Sequence, residues 1–172
     1  MSCMSAGYAG GFCFADSILR DTIDVSHIRR ITMTEQLTKV YGILPDGARD
    51  VRITVFVEEQ GFEEEFDTID NRAHHALLTL GEEPIGTGRV FIEEGTTWHI
   101  GRLAVKKEHR GQGKGAKILA YLEGIARENG ATETILGAQC RAKEFYVQQG
   151  YAPYGEIFYE EDCPHVMMRK GM

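Results

Sequence analysis

Ile100-Gly101-Arg102-Leu103-Ala104-Val105-Lys106-Lys107-Glu108-His109-Arg110-Gly111-Gln112-Gly113-Lys114-Gly115-Ala116 is the stretch on which the reading of this chain turns. A short apolar run, fit for a buried strand, ends in a basic turn. The turn becomes a glycine-rich loop, and the loop opens into a segment with apolar residues at helical spacing. A strand that feeds a glycine loop at a helix N-terminus suits an anion such as phosphate. Glycine lets the backbone approach closely, and the unpaired N–H groups of the first helical turn point at the charge.

Downstream, Ala116, Leu119, Leu122, Ile125 and Ala126 follow the i, i+3, i+4 pattern, with Lys117, Glu123, Arg127 and Glu128 expected outward. Asn129-Gly130 is a helix stop. A buried strand is expected over 132–138, a short helix carrying Ala142, Phe145 and Tyr146 over 141–149, and two last strands over 151–159 and 166–169. Upstream, the pattern predicts a strand over 37–44, closed by Pro45-Asp46-Gly47, and one helix from Ala48 to about Gln60-Gly61 that buries Val51 and Val55. Three strands follow, over 74–80, 85–93 and 98–106, with Gly86 and Gly88 marking a close backbone approach or a bulge. Between them residues 62–72 are strongly acidic, and read either as a solvated loop or as a charged wall beside an acceptor pocket. His74 and His75 point to opposite faces of a strand, so they do not form a joint metal site. The order predicts an α/β chain of the α+β type, antiparallel in its first half and crossover-connected in its second.

Composition narrows the function classes. The 172 residues fit one domain, with 42% hydrophobic and 26% charged residues. A net charge of −7 argues against nucleic acid as a partner. No apolar run approaches the roughly 18 residues of a membrane span, and residues 1–14 lack the basic start of a secretory signal. Cys3, Cys13, Cys140 and Cys163 are scattered, without metal or redox spacing, and are expected as thiols in a reducing cytoplasm. Residues 1–36 read as an extension of unassigned role, and residues 37–172 as the functional domain.

The glycine loop is not a P-loop, because Gly113-Lys114-Gly115-Ala116 lacks the magnesium-binding hydroxyl, and its spacing is not that of a dinucleotide fingerprint. What remains is Arg-x-x-Gly-x-Gly over 110–115 after Gly101-Arg102-Leu103-Ala104-Val105, with Phe145-Tyr146-Val147-Gln148-Gln149-Gly150-Tyr151 downstream. With these motifs the chain resembles the GNAT superfamily of N-acetyltransferases over roughly residues 37–170. Val55-Phe56-Val57-Glu58-Glu59-Gln60-Gly61 and Pro164-His165 are similar to its ElaA/YjcF-like branch.

The resemblance implies a mixed twisted sheet of about six to seven strands, flanked by about four helices, and acetyl-CoA as the donor cosubstrate without a metal. It implies that the backbones of Leu103, Ala104 and Val105 bind the pantetheine. The N–H groups of Arg110, Gly111, Gln112, Gly113, Lys114 and Gly115 would take the pyrophosphate. The Arg110 side chain reads better as a charge flanking the loop than as a phosphate ligand, and Lys114 is open between the two. Gln139 would lie near the amide-rich arm of CoA. Tyr146 matches the family tyrosine that donates a proton to the departing thiolate. Glu59, His74 and His165 are substrate-pocket candidates, and the general base is open among Glu58, Glu59, Asp70, His74 and His165. The acceptor class implied is a primary amine of a small molecule or peptide. Homodimers are common in the superfamily. Two alternatives stand beside this reading. One is an enzyme like the acyl-homoserine lactone synthases, from the Arg52 to Phe56 helix and its acidic loop. The other is a CoA-binding module without turnover.

Overall fold

A computed structural model describes residues 34–63 and 65–172. Residues 1–33, most of the expected extension, lie outside the described residues, as do Cys3 and Cys13. Strands β1 (Glu35–Tyr41), β2 (His74–Leu80), β3 (Glu83–Glu94) and β4 (Thr97–Val105) form an antiparallel meander. Helix α1 (Asp46–Arg52) lies between β1 and β2. Helix α2 (Lys114–Glu128) crosses from β4 to β5 (Glu133–Gln139), which runs parallel to β4. Helix α3 (Lys143–Gln148) then leads to the hairpin of β6 (Ala152–Glu160) and β7 (Cys163–Gly171). The sheet has seven strands in the order β1-β2-β3-β4-β5-β7-β6. This is the mixed architecture expected above, with three α-helices.

Three local features differ from the sequence expectation, each for a packing reason. β1 starts at Glu35 and stops at Tyr41, because β2 offers partners only from Leu80 to His74 and Gly42, at φ +70°, turns the chain out. The helix expected as far as Gln60 changes pitch after Arg52. Residues Ile53–Glu58 form a π-helical turn, in which the Glu59 N–H reaches back five residues to the Thr54 carbonyl at 3.1 Å. Val51 and Val55, both buried, pack with Phe56 against Ala104 of β4. Such turns are rare and concentrate at functional sites. Glu123 is not outward on α2 but buried, with both carboxylate oxygens 2.8–2.9 Å from Lys170 Nζ on β7.

The core forms where α2 lies on the sheet. Ile118, Leu119, Leu122 and Ile125 are buried against Ala76, Leu78, Ile85, Val90 and Ile100. Each such side chain contributes roughly 1.5–3 kcal/mol. Gly86 and Gly88 make the close approach possible. A Cβ on Gly86 would stand 2.6 Å from Ile118 Cδ1 and 3.1 Å from the Ala104 carbonyl oxygen, and one on Gly88 would stand 2.7 Å from Leu122 Cδ1. Close approach applies to both glycines, and the bulge reading applies beside Gly86, where β3 carries one extra residue, Ile85, against β2; opposite Gly88 the extra residue is on β4.

Gly86→Ala is therefore expected to lower stability by about 1–3 kcal/mol through overpacking. Gly124→Ala, on α2 with open space around it, is expected to raise stability by up to about 1 kcal/mol. Urea unfolding midpoints of the two variants check both signs.

Candidate active site

β4 and β5 hydrogen-bond only at their beginnings, where Thr97, Trp98 and His99 pair with Glu133, Thr134 and Ile135. Beyond His99 the strands part. On the β3 side, Thr87 faces Ala104 and Arg89 faces Gly101, so β4 carries one extra residue and bulges. Arg102, in that bulge, holds φ +53°, an uncommon conformation for a side chain other than glycine. On the far side, β5 ends in a turn that brings α3 and Tyr146 to the gap. The result is a cleft of about 550 Å³ between the parted strands.

Three strands supply one wall through their register. Gln139 of β5, His165 of β7 and Phe158 of β6 form a single cross-strand row. Phe158 also lies above Gly137, where a Cβ would meet its ring at 3.3 Å. Phe56 and Phe62, packed edge to face, come from the π-helical turn and the loop after it. His99, Arg102, Glu65, Glu160, Glu161 and Met167 add to the lining of the cleft. Glu161 Oε1 accepts the Glu63 N–H at 3.0 Å and ties the β6–β7 turn to the acidic loop.

Tyr146 lines this cleft, with its ring edge-on to Phe145 and Tyr151. Its hydroxyl has no hydrogen-bond partner among the described residues. Burial pushes its pKa up to about 12, so the group holds its proton at neutral pH and can act as a donor.

The glycine loop is built for an anion. Gly113 caps α2 with φ +75°, and the first intrahelical bond runs from Lys117 N–H to the Gly113 carbonyl. The N–H groups of Lys114, Gly115 and Ala116 are therefore left unused by the helix. Arg110 differs from the expectation, since its N–H donates to the Lys107 carbonyl at 3.3 Å in a 3₁₀ turn. Its guanidinium faces away from the loop, bidentate to Glu59 at 2.6–2.7 Å, with Nε on the Val105 carbonyl at 2.8 Å. Lys114 and Lys117 both pair with Glu35 of β1.

Three carboxylates of the acidic segment, Glu65, Asp67 and Asp70, are bound by arginines, while Glu63 is exposed. Arg52, barely exposed at 1%, gives Nε to Glu65 Oε1 at 2.6 Å, Nη1 to Asp70 Oδ1 at 2.8 Å and Nη2 to the Glu65 carbonyl at 2.7 Å. Arg89 binds both oxygens of Asp67 and Oδ1 of Asp70, each at 2.7 Å. Arg102 Nε stands 3.1 Å from Glu65 Oε2. Three guanidinium groups thus face three carboxylates, and Phe66 covers Arg52 at 4.9 Å. Burial would raise the Asp70 carboxyl, but the hydrogen bonds from Arg52 and Arg89 outweigh it and hold it below the ordinary aspartate value. For Glu65 burial prevails over Arg102 and Arg52, and its carboxyl is held above the ordinary value.

The expected site residues therefore separate. Leu103, Gln139, Tyr146 and His165 share the cleft. Gln139 donates to Gln60 at 2.8 Å and accepts from Arg141 at 2.8 Å. Glu59 instead lines a neighbouring hollow of about 490 Å³ with Cys140, Arg141 and Cys163, both thiols free. His74 is away from the cleft, with its ring between Tyr41 and Trp98. Glu65 comes from the acidic run that the sequence marks as a possible charged wall, whereas His99, Phe158, Glu160 and Met167 were not singled out. The strand register that gathers them is a property of pairing and not of any one segment.

A family model for the acetyltransferase (GNAT) domain matches residues 43–172. The chain belongs to the GNAT family. It is an acyltransferase, and its relatives place it in the ElaA/YjcF-like group of GNAT enzymes. It is 39% identical over 123 residues to YjcF of Bacillus subtilis (strain 168), described as an uncharacterized N-acetyltransferase, covering 70% of this chain and 87% of that one. The Escherichia coli ElaA crystal structure shares the GNAT fold with a TM-score of 0.72 and 22% identity, over 80% of this chain and 99% of that one. A Bacillus subtilis acetyltransferase solved in complex with CoA shares it with a TM-score of 0.61 and 16% identity, over 81% of this chain and 99% of that one.

In this GNAT enzyme Asp70→Asn removes a carboxylate from between two buried arginines. It is expected to cost about 3–5 kcal/mol, read by urea unfolding at pH 7. The folded-state pKa of Asp70 is lowered, so its contribution is present above the unfolded value near pH 4 and is lost as pH falls through the folded value. The wild-type advantage over Asp70→Asn is accordingly expected to shrink toward acid pH.

Proposed function

We propose that this enzyme moves an acetyl group from acetyl-CoA directly to a primary amine of a small molecule or peptide. The amine nitrogen attacks the thioester carbonyl carbon, the C–N bond forms and the C–S bond breaks. The electron pair leaves on sulfur, and Tyr146 gives its proton to it. Two protons leave an ammonium acceptor in all: one reaches solvent, and the other restores the Tyr146 hydroxyl. The observation that carries this reading is the Tyr146 hydroxyl, proton-bearing and without a partner among the described residues, at the gap between parted strands.

The donor side is supported by the free edges of β4 and β5 and by the glycine loop. Leu103 to Val105 lie beyond the part of β4 that pairs with β5, and the edge they turn toward β5 suits the amide groups of a pantetheine, the Val105 carbonyl being held by Arg110 Nε. The N–H groups from Gly111 to Gly115 suit its pyrophosphate, aided by the α2 dipole. A phosphate reaching Lys114 must compete with Glu35, so that lysine is a weaker ligand than its sequence position implies. On the acceptor side, Glu160 and Glu161 favour a cation, while Phe62, Phe158 and Met167 favour an apolar body. The Arg52 helix and acidic loop are also what the chain shares with acyl-homoserine lactone synthases. Here those charges bind one another and serve as scaffold, so they do not select that acceptor.

The test is CoA thiol release from acetyl-CoA with phenethylamine, spermidine and a lysine-bearing peptide. Release with at least one is expected, and release with none, alongside tight CoA binding, would leave a binding module. With an accepted amine, Tyr146→Phe is expected to lower kcat by about 10²-fold while the acetyl-CoA-induced rise in Tm persists. Unchanged turnover removes Tyr146 from the mechanism.

A further inference from the structure

His165 is nearly buried, at 4% exposure, in the middle of the row that lines the cleft. Its ring stacks on Phe158 with centroids 5.6 Å apart. Nδ1 lies 2.9 Å from the Cys163 carbonyl oxygen. A carbonyl only accepts, so Nδ1 carries the hydrogen and the lone pair of the neutral ring sits on Nε2. Nε2 stands 3.6 Å from Glu160 Oε2. Once a proton arrives there, the carboxylate stabilises it, and Glu160, half exposed, leads on to solvent.

We propose that His165 Nε2 is the base that takes the ammonium proton of the acceptor, with the Cys163 carbonyl fixing its tautomer and Glu160 receiving the charge. This rests on the amine-acetylation reading above. The bonds balance simply: the N–H bond of the ammonium breaks, the Nε2–H bond forms, and the proton passes by Glu160 to water.

The other bases are engaged or displaced. Both oxygens of Glu59 bind Arg110, Asp70 lies between Arg52 and Arg89, and Glu65 between Arg52 and Arg102. Glu58 is exposed and is not among the residues that line the cleft. The nearest rival is His99 on β4, whose Nδ1 faces Glu93 at 3.3 Å. Its ring stacks on Phe91 at 5.1 Å, and burial holds it below the ordinary histidine value against the pull of Glu93 and Glu160. The charged and titratable groups facing His165 across the cleft are Glu160 and Glu161 from the hairpin, His99 and Arg102 from β4, Glu65 from the acidic loop and Tyr146 from α3.

The test uses the full chain and has two arms. In the first, nitrogen-detected imidazole NMR reads the His165 tautomer in wild type and in Glu160→Gln, without turnover. The neutral ring is expected to be Nδ1-protonated in both. An Nε2-protonated neutral ring overturns the proposal. In the second, thiol release is followed against pH with acetyl-CoA and whichever of phenethylamine, spermidine and the peptide is accepted. His165→Asn keeps a side-chain N–H for the Cys163 carbonyl but no base. It is expected to lose about 10²-fold in kcat at neutral pH, with KM for acetyl-CoA unchanged. The deficit is expected to shrink as rising pH deprotonates the amine. A deficit that ignores pH, or one that follows His99→Asn instead, overturns the assignment. If wild type acetylates none of the three, the acetylation reading fails, while the tautomer still decides whether Nε2 is a free base.

Discussion

Strands β4 and β5 share a ladder for three residues and then separate, and the chemistry of the molecule is arranged around what keeps them apart. A sheet normally continues its ladder, because unpaired backbone groups away from water are costly. Here the extra residue at Arg102 bends β4 away, and α2, drawn down onto Gly86 and Gly88, fixes β3 and β4 from one side. On the other side α3 follows directly on the end of β5. The unpaired strand edges are then left for a ligand that can satisfy them, and Tyr146 stands at the place where they diverge.

The second constraint is electrostatic. One wall of the cleft is partly made of a loop rich in carboxylates, which would repel itself if left in water. Arg52 from the helix, Arg89 from β3 and Arg102 from the bulge each take a share of that charge. Buried ion pairs offset their desolvation only when the geometry is good and the remaining hydrogen bonds are made. Here the guanidinium hydrogens of Arg52 and Arg102 also reach the Glu65 carbonyl, and the His75 ring meets the Asp70 carbonyl oxygen at 2.9 Å, while Arg89 Nε stays buried without a partner among the described residues. The set pairs three arginines with three carboxylates, so the polarity of this part of the cleft is left to Glu160 and Glu161. The same pinning carries Phe62 and Glu65 to the cleft wall.

Much of this was legible in the sequence because it is local. Hairpin turns, the apolar stripe of α2 and the Arg-x-x-Gly-x-Gly loop each declare themselves within a few residues, and Phe145-Tyr146 falls on the short helix where its motif puts it. The acidic run was not legible in the same way. Acids crowded into a few positions look alike whether water or arginine answers them, and the answering residues lie 13 to 37 positions away. Strand β4 hid its facing for a different reason. One extra residue reverses the inward and outward alternation beyond it, so reading every second side chain through Arg102 misassigns the cleft. Glu59 is a pocket candidate in the sequence because the Glu58-Glu59-Gln60 segment resembles the ElaA/YjcF-like branch. The widened π-helical turn instead carries Glu59 to Arg110 and leaves Gln60 on the cleft.

The short shared ladder also bears on how the molecule moves. Four strands on one side and three on the other meet through three residue pairs, so the sheet is mechanically two smaller sheets joined along a brief seam. Each half is held internally by long antiparallel ladders, and opening the seam breaks few hydrogen bonds. Local opening follows the lines of lowest contact density. In this fold that line runs through the cleft itself, so a ligand bridging the two edges would be bracing the weakest joint of the sheet.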